Sequence, residues 1–135
     1  MITYQLENEL SAEEFLFVLR RSTLAERRPV NEPDRIAAML AHANLILTAR
    51  DNGNIVGVAR SLTDFSFCTY LSDLAVYEAY QHKGIGKELI RQTKLAAPKA
   101  KLILLSAPAA LQYYPHIGMK RHEGCFYIDD VGEIK

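Results

Sequence analysis

Residues 67–97 constrain the fold more than any other part of the chain. The stretch FCTYLSDLAV, residues 67–76, is nearly apolar and has the length of a central strand. Two glycines follow, Gly84 and Gly86, and then a helical pattern runs from about Gly86 to Ala97. Ile85, Leu89, Ile90 and Ala96 lie on one side of it, and Pro98 closes it. Residues 102–105 (LILL) are short and continuously apolar. A strand, a helix and a second apolar strand in that order read as a parallel crossover unit.

The rest of the chain can be arranged around that unit. Residues 2–6 suit a short first strand. Ser11 stands three residues before Glu14, the capping-box spacing, ahead of a helix that buries Phe15, Leu16, Val18 and Leu19. Asn31-Glu32-Pro33-Asp34 starts a second helix with Ile36, Met39, Leu40 and Ala43 at helical spacing, and residues 25–30 form a loop between the two. Residues 45–49 and 55–59, separated by Asp51-Asn52-Gly53-Asn54, form an antiparallel hairpin. A short helix over 108–114 and a terminal hairpin, 119–122 with 125–128, complete the chain.

Composition narrows the classes. At 135 residues, with 49% hydrophobic and 24% charged, the chain reads as one soluble globular domain over 1–135. Sixteen basic residues balance sixteen acidic ones, so no overall field draws in nucleic acid or an anionic membrane, and any anion site must be local. Cys68 and Cys125 lie far apart, without metal-ligand spacing to any histidine, which predicts a reduced, cytoplasmic protein and no metal. No run approaches the ~20 apolar residues of a membrane span.

The glycines pose a chemical question. A loop entering a helix presents backbone N–H groups without intrahelical partners, where the helix dipole adds partial positive charge, and phosphate binds there readily. Glycine permits positive φ and leaves the backbone bare. Lys83, Lys87 and Arg91 can supply charge around the opening. The alternative is a tight turn that packs the helix on the sheet. A dinucleotide fingerprint would need glycine where Leu89 stands, and a Walker loop would need Gly and Ser or Thr where Gln81 and Glu88 stand.

The pattern present is Gln/Arg-x-x-Gly-x-Gly, Gln81-His82-Lys83-Gly84-Ile85-Gly86, directly after an apolar strand. It resembles motif A of the GCN5-related N-acetyltransferases, the GNAT family. A later segment of that family reads Asn-x-x-Ala-x-x-Phe-Tyr-x-x-x-Gly-Phe. Residues 107–119 keep the spacing, with Ala110, Tyr114 and Gly118 matching and Met119 as the apolar last residue. Ala107 departs from the pattern, standing where the family often has an asparagine that bonds the pantetheine arm. That contact must come from backbone, from Ser106, or be missing. Motif-level similarity spans about residues 71–119; before that, only the element order agrees.

The resemblance implies an α/β (α+β) fold: a central mixed, mostly antiparallel sheet with a parallel, splayed strand pair, flanked by helices. It implies acetyl-CoA as co-substrate, with pantetheine on the main chain of Leu74, Ala75 and Val76 and pyrophosphate on Gln81, His82, Lys83, Gly84, Ile85, Gly86 and Lys87. Tyr114 occupies the tyrosine position that protonates the departing thiolate. Tyr113, about 100° round a helix, should face elsewhere.

Asp73 is the unexpected residue of its strand, because a buried carboxylate is costly without partners. It is either a general base or a structural acid paired with Arg28, Arg50 or Arg60. Arg60 and Asp64, near the end of the neighbouring strand, are substrate contacts or solvated turn charges. Glu78 is expected in solvent; His82 lies in the cofactor loop, and His116 and His122 flank the terminal hairpin.

Two classes of function follow: an acetyl-CoA-dependent N-acetyltransferase acting on a small-molecule or peptide amine, and a non-catalytic acyl-CoA-binding or sensing module of the same fold. A nucleic-acid binder would need a basic, aromatic stripe that the chain lacks. Neither nucleic acid nor membrane is expected as a partner, while a homodimer stays open.

Overall fold

The computed structural model describes all 135 residues, which form two compact units, Met1–Leu105 and Ser106–Lys135. The first unit carries the sheet. Its elements in chain order are β1 (Ile2–Leu6), α1 (Ala12–Arg21), α2 (Pro33–His42), β2 (Leu45–Asp51), β3 (Asn54–Thr63), β4 (Cys68–Val76), α3 (Ile85–Ala96) and β5 (Lys101–Ile103). The strands lie in sequence order, antiparallel except for the parallel pair β4–β5. This is the mixed sheet with one parallel crossover that residues 67–105 predict. No helix is long and apolar enough to cross a membrane.

Local chemistry accounts for the boundaries. Ser11 caps α1 by accepting from the Glu14 amide at 3.2 Å, and Pro33 stands at the start of α2, where its missing N–H costs nothing. Asn52 and Gly53 have φ of 50° and 85°, the paired left-handed turn that matches strand twist in a two-residue hairpin. β3 runs four residues past its expected end at Ala59. Arg60, expected near the end of this strand, and Ser61 are polar but buried opposite β4.

The sheet is covered on both faces. Phe15, Val18 and Leu19 of α1 and Ile36 and Leu40 of α2 pack on Ile46, Val58 and Ala75. Ile85 and Leu89 of α3 pack on Leu45, Leu47, Val56, Ala59 and Leu71. A register shift at Arg60/Ser61 leaves Ser72 as an extra residue in β4. The strand therefore changes which parity faces α3: Leu71 packs toward it before the bulge, and Leu74 and Val76 after it.

The second unit contains a 3₁₀ turn (Pro108–Ala110), the four-residue α4 (Tyr113–His116) and a 3₁₀ turn at Val131–Glu133. Gly118, at φ 100°, closes α4: its amide bonds the Pro115 carbonyl at 3.0 Å and the Met119 amide bonds the Tyr114 carbonyl at 3.0 Å. The expected hairpin of 119–122 with 125–128 does not form. A backbone donor there turns to a local side chain instead, the Gly124 amide to His122 Nδ1. Phe126 and Tyr127 are exposed, and two short strands without an apolar face to bury are marginal by themselves.

Candidate functional site

The parallel pairing of β4 with β5 covers only Cys68↔Lys101, Thr69↔Leu102 and Tyr70↔Ile103. Beyond Tyr70, β4 continues for six residues, to Val76, while β5 ends. That is why β5 ends before Leu105, the end expected from the apolar run 102–105: Leu104 and Leu105 have no neighbour to ladder with. The Tyr77 amide bonds the Val56 carbonyl at 2.8 Å, so by strand alternation Ala75 and Asp73 direct their main chain toward β3, and Ser72, Leu74 and Val76 direct theirs to the free edge. On that edge the Ser72 carbonyl takes Arg28 Nη2 at 2.7 Å and the Val76 carbonyl takes Gln81 Nε2 at 3.0 Å. Leu74 keeps both its groups available and Val76 its N–H. Ala75, expected among the cofactor contacts, is corrected: its main chain faces β3 and its side chain lies in the α1–α2 core.

The glycine loop enters α3 without a cap. Gly84 is the N-cap residue at φ 82°, and no side chain bonds the helix start. The first helical bond runs from the Glu88 amide to the Gly84 carbonyl at 3.0 Å, so the amides of Ile85, Gly86 and Lys87 have no intrahelical acceptor. Sequence reasoning assigned left-handed backbone to glycine, but His82 also adopts it, at φ 64°. Gly86 does not, so its contribution is a bare amide in the first turn. The Ile85 side chain is buried against the sheet, which leaves only its amide for a ligand.

Around the loop, Gln81 ties its start to the end of β4. The Lys83 ammonium lies 5.2 Å from the centre of the Tyr80 ring, and Lys87 is exposed. Tyr80 and Asp51 were missed from sequence. The Tyr80 hydroxyl donates to Asp51 Oδ2 at 2.7 Å, which raises the phenol pKa and lowers that of the carboxyl. Only the position of Tyr80 next to Gln81 could have signalled it, because Asp51 is distant in sequence.

Asp73 is fully buried between two guanidinium groups: Arg28 Nε at 2.5 Å on Oδ1, and Arg60 Nε on Oδ2. Arg28 also bonds the Ser72 carbonyl, and Arg60 bonds the Met39 carbonyl and Ser72 Oγ, both at 3.0 Å. The general-base expectation for Asp73 is corrected by this geometry, since an amine has no route to either oxygen. Arg60, expected at the substrate, is likewise committed to this buried cluster, which ties β3, β4, the loop before α2, and α2 together.

Asp64 serves the β3–β4 turn. Its Oδ1 accepts from the amides of Ser66, Phe67 and Cys68 at 2.9, 2.8 and 3.1 Å, which holds its pKa down at about 2. Its Oδ2 has only the Cys68 thiol, at 3.8 Å. In the second unit the Ser106 hydroxyl donates to the Ala107 carbonyl at 2.7 Å, so it can meet a ligand only as an acceptor. Tyr114 of α4 is half-buried, its ring edge-on to Tyr113 at 5.3 Å. Burial, then the nearby Tyr113, pushes its pKa up.

The fold matches that of known proteins. The family model for the acetyltransferase (GNAT) family matches residues 5–119. No curated protein matches significantly in sequence. Among solved structures, a GNAT-family acetyltransferase from Streptococcus pneumoniae superposes with a TM-score of 0.72 at 21% identity, over 96% of this chain and 98% of that one. An acetyltransferase from Trypanosoma brucei gives 0.65 at 24% identity, over 96% and 99%. An aminoglycoside N-acetyltransferase solved with CoA gives 0.74 at 14% identity, over 97% and 95%. With most of its length matched by the family model, the chain belongs to the acetyltransferase (GNAT) family.

Proposed function

We propose that the protein transfers the acetyl group of acetyl-CoA to a primary amine of a small molecule or peptide. One observation carries the reading: a free strand edge, from Leu71 to Val76, leads through a short loop into an uncapped helix N-terminus. An extended polar chain ending in phosphates fits that sequence of donors and acceptors, since Leu74 and Val76 can bond amides as an added strand would. The amides of Ile85, Gly86 and Lys87 suit a pyrophosphate. Acetyl-CoA, when bound, supplies an acetyl group activated as a thioester.

The chain's own residues then divide the work. Leu74 and Val76 orient the arm, Gln81 through Lys87 hold the anion, and Lys83 and Lys87 add positive charge. Asp73 with Arg28 and Arg60 keeps the free edge rigid, and the amine proton leaves to solvent. Tyr114 is the proton donor to the departing thiolate, on the strength of its motif position; its raised pKa keeps the phenol protonated at neutral pH, as a donor must be.

The test is release of free thiol from acetyl-CoA across a panel of amines. Amine-dependent release above the rate without protein supports transfer. Tight CoA binding with no release for any amine supports the alternative, an acyl-CoA-binding module.

A further inference from the structure

A groove of about 470 Å³ opens on the first unit where β4 and β5 part. Leu62, Tyr70 and Ile103 make its apolar floor, and His42, Asp64 and Cys68 stand on its rim. Tyr70↔Ile103 is the last paired position before β4 runs on alone, so the groove ends at the gap in the sheet. Leu62 and Ile103 are 42% and 50% exposed, so the middle strand β3 and the edge strand β5 both leave apolar surface open here.

The other end of the groove is charged. Asp64 sits level with Cys68, to whose carbonyl its amide bonds at 3.3 Å. Backbone amides occupy Oδ1 and keep the group ionised, while Oδ2 points to no cation of the protein. From Cys68 to the first free-edge positions, Leu71 and Ser72, is three to four residues of strand, roughly 10–13 Å at about 3.3 Å each. A fixed negative charge is thus separated from the gap by an apolar floor.

Resting on the acetyl-transfer reading, we propose that this groove binds the acceptor, and that the acceptor is a linear aliphatic amine carrying a second cationic group about 10 Å from the reacting nitrogen. The reacting amine lies at the gap beside Leu71 and Ser72, the methylene chain lies on Leu62, Tyr70 and Ile103, and the distal ammonium meets Asp64 Oδ2. A diamine is selected over a monoamine by the carboxylate alone.

Diaminooctane and octylamine, which differ only in the distal ammonium, test this with the wild-type protein and acetyl-CoA. With kcat/KM counted per amino group, because the diamine offers two equivalent ends to the reaction, the diamine should be about fivefold better, through KM, which is the upper range for an exposed ion pair, and 0.5 M added salt should erase the difference. Asp64→Asn keeps an oxygen to accept from the three turn amides and removes the charge, so the ratio should fall to about one. Leu62→Lys changes an exposed side chain, sets a positive charge in the same groove, and should remove the diamine advantage independently of the turn. Equal kcat/KM per amino group for the two amines in the wild type overturns the proposal and leaves acetyl transfer standing. Absence of turnover with every amine overturns both.

Discussion

At the scale of single residues, the same chemical group does opposite work in different surroundings. Asp73 and Asp64 are both carboxylates near the β3–β4 hairpin, but one is sealed between guanidinium groups and the other is a solvent-facing turn cap. Removing the charge of Asp73 leaves Arg28 and Arg60 facing each other in a buried site. Asp73→Asn should therefore destabilise the fold by about 3–5 kcal/mol, read in a denaturant titration. An unchanged midpoint would remove the structural role. Tyr114 is a residue whose value lies in one proton. Tyr114→Phe keeps the ring against Tyr113 and should lower kcat by ~10²-fold with CoA affinity and Tm unmoved, while Tyr113→Phe should do far less. A large loss at Tyr113 alone would reverse the assignment. The sequence offered Arg28, Arg50 and Arg60 as partners for Asp73, and the structure pairs it with Arg28 and Arg60; the choice among the three and the left-handed His82 were not legible, because each depends on contacts brought together from distant positions.

Among the elements, α3 governs the site, and its seat on the sheet depends on Gly57. A Cβ there would stand 3.1 Å from Leu89 Cδ1, 3.3 Å from Ile85 Cγ2 and 3.4 Å from the Ala49 Cβ. Gly57→Ala should push α3 outward, cost about 1–3 kcal/mol, and weaken CoA binding because the Ile85 amide moves with the helix. Calorimetry that shows lost stability with unaltered affinity would separate packing from the anion seat. The strand–loop–helix order was readable because apolar period, glycine turn and closing proline are local signals. The bulge at Ser72 was not, since it is defined only by the register against β3. The terminal hairpin was misread for a related reason. Residues 125–128 have the apolar, aromatic composition of a strand, but a strand exists only where a neighbour accepts its ladder, and composition does not contain the neighbour.

For the molecule as a whole, stability and function draw on separate charges. Arg50 bonds Glu7 through Nε and Nη2, both at 2.8 Å, and Glu14 through Nη1 and Nη2 at 2.7 and 2.9 Å, joining the end of β1, α1 and β2. These bonds hold both carboxyl pKa values below the usual range. Groups with depressed folded pKa stabilise above their unfolded value, about 4.3 for glutamate, and that stability is lost as pH falls through the lower folded values. The urea midpoint should thus fall below about pH 4.3, and less steeply in Glu7→Gln; parallel slopes would show that the pair does not contribute. The anion seat involves none of these groups. It is tested most directly by titrating CoA into the wild type, Gly84→Val and Gly86→Val at matched Tm. A branched residue at the left-handed Gly84, or a side chain over the Gly86 amide, should weaken CoA at least tenfold, about 1.4 kcal/mol. Equal affinity in all three proteins would contradict the account and leave the loop as no more than a turn.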